Sequence, residues 1–201
     1  MNSNTYGTSD AVAEIIRRVS RPGPTRGEDI DWTAADEAYG VSFPADYRSF
    51  VAAFGSGSIE DSLNFVTPAV HGEPLRGDWV SRISEAALAD SALRHWSDPS
   101  LAGVYRLEDM LIWGTTAGAD TLCWATTDPD PNCWPVAVYK RVDAEWSVYP
   151  CGMAEFLLRL LRDDFEEWPL SDLSLPDIPV PRFLHYKDQA AARDRFEDPW
   201  T

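Results

Sequence analysis

Apolar positions recur along this chain with two periods, one near 3.6 towards both ends and one of two in the middle. Val12, Ile15, Ile16 and Val19 share one side of a helix, so residues 8–20 are expected to be helical and to stop at Arg21-Pro22-Gly23-Pro24. A short helix is expected from Trp32 to Tyr39, with Gly40 as its C-terminal cap. Pro44 suits the first position of a further helix, because the N–H it lacks is not needed there. Tyr47, Phe50, Val51 and Phe54 follow at i, i+3, i+4 and i+7, and Gly55-Ser56-Gly57 ends the run. Residues 58–66 read as one short extended piece and 70–78 as a loop. Residues 81–96 read as a helix with Ile83, Ala86, Ala89, Leu93 and Trp96 inward.

The period then changes. Met110–Trp113 is a short apolar run, expected as a buried strand. Leu122 and Trp124, Val136 and Val138, and Trp146 and Val148 alternate with their neighbours in successive segments, which argues an antiparallel meander. Met153, Phe156, Leu157, Leu160 and Leu161 form a helical stripe expected to cover one face of it. The reading is an α+β fold: an antiparallel or mixed sheet meander with helices packed on it. Residues 1–164 are taken as the domain. Residues 165–201 are taken as an acidic, proline-rich extension, wrapped on the domain or partly free, with a weak helix near Lys187–Phe196.

Composition narrows the class. With 201 residues and 44% hydrophobic positions, one domain with a real core is expected. The formal net charge of -16 disfavours nucleic acid and anionic membrane surfaces and favours a basic protein partner. No apolar run approaches the roughly 20 residues that span a bilayer. Met1-Asn2-Ser3-Asn4-Thr5 lacks the pattern of a secretory signal, so a cytoplasmic protein is expected. Three cysteines, Cys123, Cys133 and Cys151, are read as reduced, buried and structural.

Motifs for catalysis fit poorly. Gly114-Thr115-Thr116-Ala117-Gly118 has nucleophile-elbow spacing, but a strand, not a helix, follows it. Asp128-Pro129-Asp130-Pro131-Asn132 resembles the start of a calcium loop, yet Cys133 and Tyr139 stand where glycine and glutamate are required. His71, His95 and His185 are scattered, and no glycine-rich phosphate loop is present. No metal or cofactor site and no catalytic residue is assigned.

Three blocks resemble the SMI1/KNR4 family of the SUKH superfamily. The first runs from Tyr39-Gly40-Val41-Ser42-Phe43-Pro44-Ala45-Asp46-Tyr47 to Phe54-Gly55-Ser56-Gly57, similar to that family's glycine, hydrophobic–proline, acidic–aromatic and apolar-helix pattern, with Phe43 where leucine is usual. The second is Met110–Trp113 with Gly114, Gly118 and Asp120, and the third is Met153-Ala154-Glu155-Phe156-Leu157. Together they span roughly residues 30–163. The resemblance implies binding rather than catalysis, and many bacterial members are immunity proteins that neutralise toxins, often nucleases or deaminases.

On this reading the chain is a non-enzymatic module that masks the basic active-site surface of a toxin domain. The residues expected to meet the partner are Trp113, Asp120, Trp124, Asp128, Asp130 and Trp134. The alternatives are a regulatory or scaffold protein of the same fold with no toxin partner, docking through its acidic tail, and an enzyme of unrecognised class. The sequence leaves oligomeric state open.

Overall fold

The computed structural model describes residues 8–69, 79–172 and 174–201. The expected loop at 70–78, with His71, and the segment Met1–Thr5 lie outside the described residues. The chain forms six α-helices among them, α1 (Thr8–Arg18), α2 (Trp32–Tyr39), α3 (Ala45–Phe54), α4 (Glu85–Leu88), α5 (Met153–Leu160) and α6 (Tyr186–Asp194). The strands are β1 (Gly57–Ile59), β2 (Leu63–Phe65), β3 (Ser81–Arg82), β4 (Met110–Thr116), β5 (Thr121–Ala125), β6 (Val136–Lys140), β7 (Glu145–Tyr149) and β8 (Phe183–His185). They build one sheet in the order β7-β6-β5-β4-β2-β1-β8, with β3 also paired to β4, and every pair is antiparallel. The fold is therefore α+β, as the pattern predicts.

Local chemistry explains the helix ends. Asp31 caps α2 by accepting the Ala34 N–H at 3.0 Å, and Gly40 closes it in the left-handed region at φ 68°. In α3, Tyr47, Phe50, Val51 and Phe54 are all buried, and Pro44 stands just ahead of the first turn. Helices α1, α3 and α5 pack on one another and lay Ile15, Phe50 and Phe156 against Trp113, Leu122, Trp124, Val136 and Val138 of the sheet.

The alternating strands do not turn a polar face to water. On the opposite side Met110, Cys123, Ala125, Ala137, Tyr139 and Trp146 are covered by Ile83, Leu88, Leu93, Trp96 and Tyr105. The helix expected over 81–96 is here a two-residue strand, the four-residue α4 and a 3-10 turn at Ser91–Arg94. Its apolar anchors at 83, 88, 93 and 96 do not follow a 3.6 period, and Ala86 and Ala89, expected inward, are exposed. The extended piece expected at 58–66 is a tight hairpin, its turn made by Glu60 and Asp61 at φ 50° and 52°.

Residues 165–201 are built into the domain. Leu170 and Leu175 are buried in the helical core, β8 pairs with β1, and α6 follows directly. Both edges of the sheet are closed by a single parallel bridge: Ser20 on Arg182 beside β8, and Trp96 on Trp146 of β7. These bridges engage edge groups that would otherwise invite another strand. No helix among the described residues is long and apolar enough to cross a membrane.

Candidate functional site

The structure separates the six residues singled out from the sequence. Trp113 and Trp124 are fully buried and Trp134 is 4% exposed, so the first two serve as core and not as a contact surface. Asp120 is also fully buried. Its carboxylate accepts the Thr116 hydroxyl at 2.9 Å, the Arg141 N–H at 2.8 Å, the Ser171 N–H at 2.8 Å and the Ser171 hydroxyl at 2.5 Å. Asp120 thus ties the β4–β5 turn and the β6–β7 turn to the C-terminal segment. Apolar packing consumes the tryptophans and a hydrogen-bond network consumes the aspartate. Asp120 also lies at the opposite end of β5 from Asp128, roughly 17 Å away for five extended residues.

Asp128, Asp130 and Trp134 do come together, on the loop between β5 and β6. Both aspartates are exposed, and the Trp134 indole N–H donates to the Asp128 carbonyl at 2.6 Å. Asp130 caps the 3-10 turn Pro131–Cys133 by accepting the Asn132 N–H at 2.9 Å. This loop forms one wall of a cleft of about 540 Å3. The other walls are Tyr105, the turn Pro150–Gly152, and Ala154 and Glu155 in the first turn of α5.

Asp46 reaches the cleft from α3. Its Oδ2 accepts the Ala154 N–H at 2.9 Å and so caps α5, whose own N-cap residue, Gly152, has no side chain to do so. A Cβ on Gly152 would stand 2.8 Å from that Oδ2, so glycine makes room for the contact. Burial raises the Asp46 carboxyl above its ordinary value, against the backbone N–H groups of Ala154, Tyr47 and Met153 that pull it down.

Two of the three thiols line the same cleft. Cys133 is exposed and Cys151 half-buried, which corrects the expectation that all three cysteines are buried, since only Cys123 is. Desolvation, then Asp130 and Asp128, raise the Cys133 thiol. Burial, with Glu155 and Asp46, pushes Cys151 up to about 12 against the opposing pull of Arg159. Both thiols are held protonated at neutral pH, the reverse of what a nucleophilic cysteine needs. The carboxylates of Asp46, Asp128 and Glu155 line the cleft, and Arg159 reaches the Cys151 thiol beside them.

Elsewhere the catalytic motifs resolve into structure. The Gly114–Gly118 segment runs from strand to strand, and Thr116 is bonded to Asp120. His95 is exposed, whereas His185 is buried against Glu28, its Nε2 2.9 Å from that carboxylate. No group of three or more His, Cys, Asp or Glu suited to a metal ion occurs among the described residues.

Asp46, Tyr105, Cys133, Cys151 and Glu155 were not assigned to a site from sequence. Asp46 and Glu155 each lie inside a block of the family-like pattern, which marked their positions but not their convergence. Comparison with protein-family models, with curated proteins and with solved structures finds no match for this chain.

Proposed function

We propose that this chain is a non-catalytic binding module that acts in the cytoplasm and takes a basic protein at the Asp128–Glu155 cleft. We further propose that the partner is a bacterial toxin domain of nuclease or deaminase type, whose basic active-site surface is masked. The observation that carries this reading is the lining of the cleft: three carboxylates, Asp46, Asp128 and Glu155, and no lysine or arginine. A net charge of -16 supports it, because an acidic surface steers a basic partner into encounter and opposes nucleic acid.

One observation favours the alternative, a regulatory or scaffold protein of the same fold with no toxin partner. Phe196, beyond α6, is 99% exposed and offers an apolar anchor far from the β5–β6 loop in sequence. The two readings divide on one experiment. The product of the gene adjacent to this one is co-expressed with the chain, and both growth protection and co-purification are scored. Protection that survives Phe196→Ser and is lost in Asp128→Asn/Asp130→Asn is expected. Absence of both protection and co-purification rejects the toxin-neutralising reading.

A further inference from the structure

We infer that this chain pairs with a second copy of itself about a two-fold axis, Phe196 of each copy filling a cavity beside α6 of the other. The inference goes beyond the function proposed above and does not depend on which partner the Asp128–Glu155 cleft takes.

Two features of Phe196 oppose the fold of its own chain. Its ring is 99% exposed. Its backbone stands in the left-handed region at φ 58°, where a bulky side chain is rare. The residue closes α6: its N–H donates to the Arg193 carbonyl at 2.9 Å, and the Glu197 N–H donates to the Ala192 carbonyl at 3.0 Å. Glycine or asparagine is the usual occupant of that place in a helix end, and either would ease the backbone and take an apolar ring out of water. Local folding therefore gives no reason for phenylalanine here. Strain and exposure on one side chain point to a contact made outside the chain.

A space suited to a phenyl ring lies alongside. A cavity of about 320 Å3 is walled by Pro22, Pro24, Leu184, Ala191, Ala192 and Pro199. Asp188 holds the proline segment against α6, its carboxylate accepting the Thr25 N–H at 3.1 Å. Arg195 and Glu197, the two chain neighbours of Phe196, also line the cavity, yet the Phe196 ring stands clear in solvent. An apolar cavity of roughly 150 Å3 is enough to hold benzene, so a ring fits with room to spare. A projecting side chain and its receiving cavity on one patch are what a self-complementary two-fold contact requires.

Charge favours a second copy at this patch. At a net charge of -16, two copies repel over most of their surface. Residues 182–198 carry four Lys or Arg and four Asp or Glu, which sum to zero. The Arg195–Glu197 ion pair, 2.9 Å long with both side chains 59% exposed, sets one group of each sign on the rim. A two-fold partner meets each with its opposite. A basic protein gains no attraction from this neutral face and is drawn to the acidic remainder.

Sedimentation equilibrium of the full chain from about 1 µM to about 1 mM tests the inference. The wild type should show a monomer–dimer equilibrium. Phe196→Asn removes the ring and suits the left-handed turn; Ala191→Trp fills the cavity from an exposed position. Each should weaken the dimer on the order of a hundredfold, because two ring contacts are lost together. The two variants mixed should associate more tightly than either alone, since one keeps the cavity and the other the ring. Diluted to monomers, Phe196→Asn should melt no lower than the wild type. A wild type that stays monomeric throughout, a dimer that Phe196→Asn leaves intact, a mixture no tighter than its components, or a lower-melting Phe196→Asn monomer overturns the inference.

Discussion

Glu28 has both carboxylate oxygens engaged. Oε1 accepts the Ser56 N–H at 2.9 Å and the Ser56 hydroxyl and meets His185 Nε2 at 2.9 Å, while Oε2 accepts the Thr67 hydroxyl at 3.1 Å. The Lys187 N–H donates to His185 Nδ1, so the ring's Nε2 proton points at Glu28. Burial alone would raise this carboxyl, but the bonds from His185 and Ser56 outweigh it and bring it from 4.5 to about 2. A depressed acid contributes stability above its unfolded value and loses it as pH falls. Glu28 therefore contributes on the order of 3 kcal/mol at neutral pH, lost between about pH 4.5 and 2. Glu28→Gln should cost about 2–3 kcal/mol in urea unfolding at pH 7, and the gap to the wild type should close by pH 2; an equal gap at both pH values contradicts this. Asp46 has the opposite sign: its raised carboxyl favours folding below its ordinary value of 3.8, and that share fades as pH rises past the folded value. Asp46→Ala should cost about 1–2 kcal/mol through the lost cap on α5, and Asp46→Asn, which keeps an acceptor, only a few tenths. Neither role was legible in the sequence. An acid in a connecting segment or at a helix start looks solvated until the partner element, more than a hundred residues away for both His185 and Ala154, is in place.

At the scale of elements, sequence pattern served where a stripe was long enough to repeat. Helices α1, α2, α3 and α5 and strands β4–β7 lie where periodicity puts them. Strands of three residues, such as β1, β2 and β8, show at most one alternation, too little to declare a period. The cover on the second sheet face is not legible in the sequence because its anchors, Ile83, Leu88, Leu93 and Trp96, have irregular spacing. Strand β8 also depends on close approach at Gly57. A Cβ there would meet the Leu184 carbonyl oxygen and the Phe183 ring. Gly57→Ala should lower stability by about 1–3 kcal/mol and raise hydrogen exchange at Phe183–His185 before the rest of the sheet, and unchanged protection of β8 would refute the packing described. Removing 165–201 should have a larger effect. It strips β8 from β1, uncovers Phe54 and Phe65 where Phe183 packs, and leaves Asp120 without Ser171. A truncated chain should unfold at lower urea and without a single sharp transition, so the C-terminal segment is a poor target for a clean deletion test of docking.

For the whole molecule, charge and architecture assign different jobs to residues that look alike in sequence. Six tryptophans and aspartates stood out as an aromatic, acidic face. Packing withdraws Trp113 and Trp124 into the core and Asp120 into a turn network, while Asp128, Asp130 and the edge of Trp134 remain around a cleft that Asp46, Tyr105 and Glu155 complete. Acidity was visible in composition; the place where it concentrates required the β5–β6 loop to meet the start of α5. The most direct test of the account is calorimetric titration of the chain with the product of the adjacent gene, at about 50 and 200 mM salt. The account predicts tight binding that weakens with salt, with Asp128→Asn/Asp130→Asn reducing both the affinity and the salt dependence. Binding indifferent to salt and to both substitutions, or no binding at either salt, would contradict it.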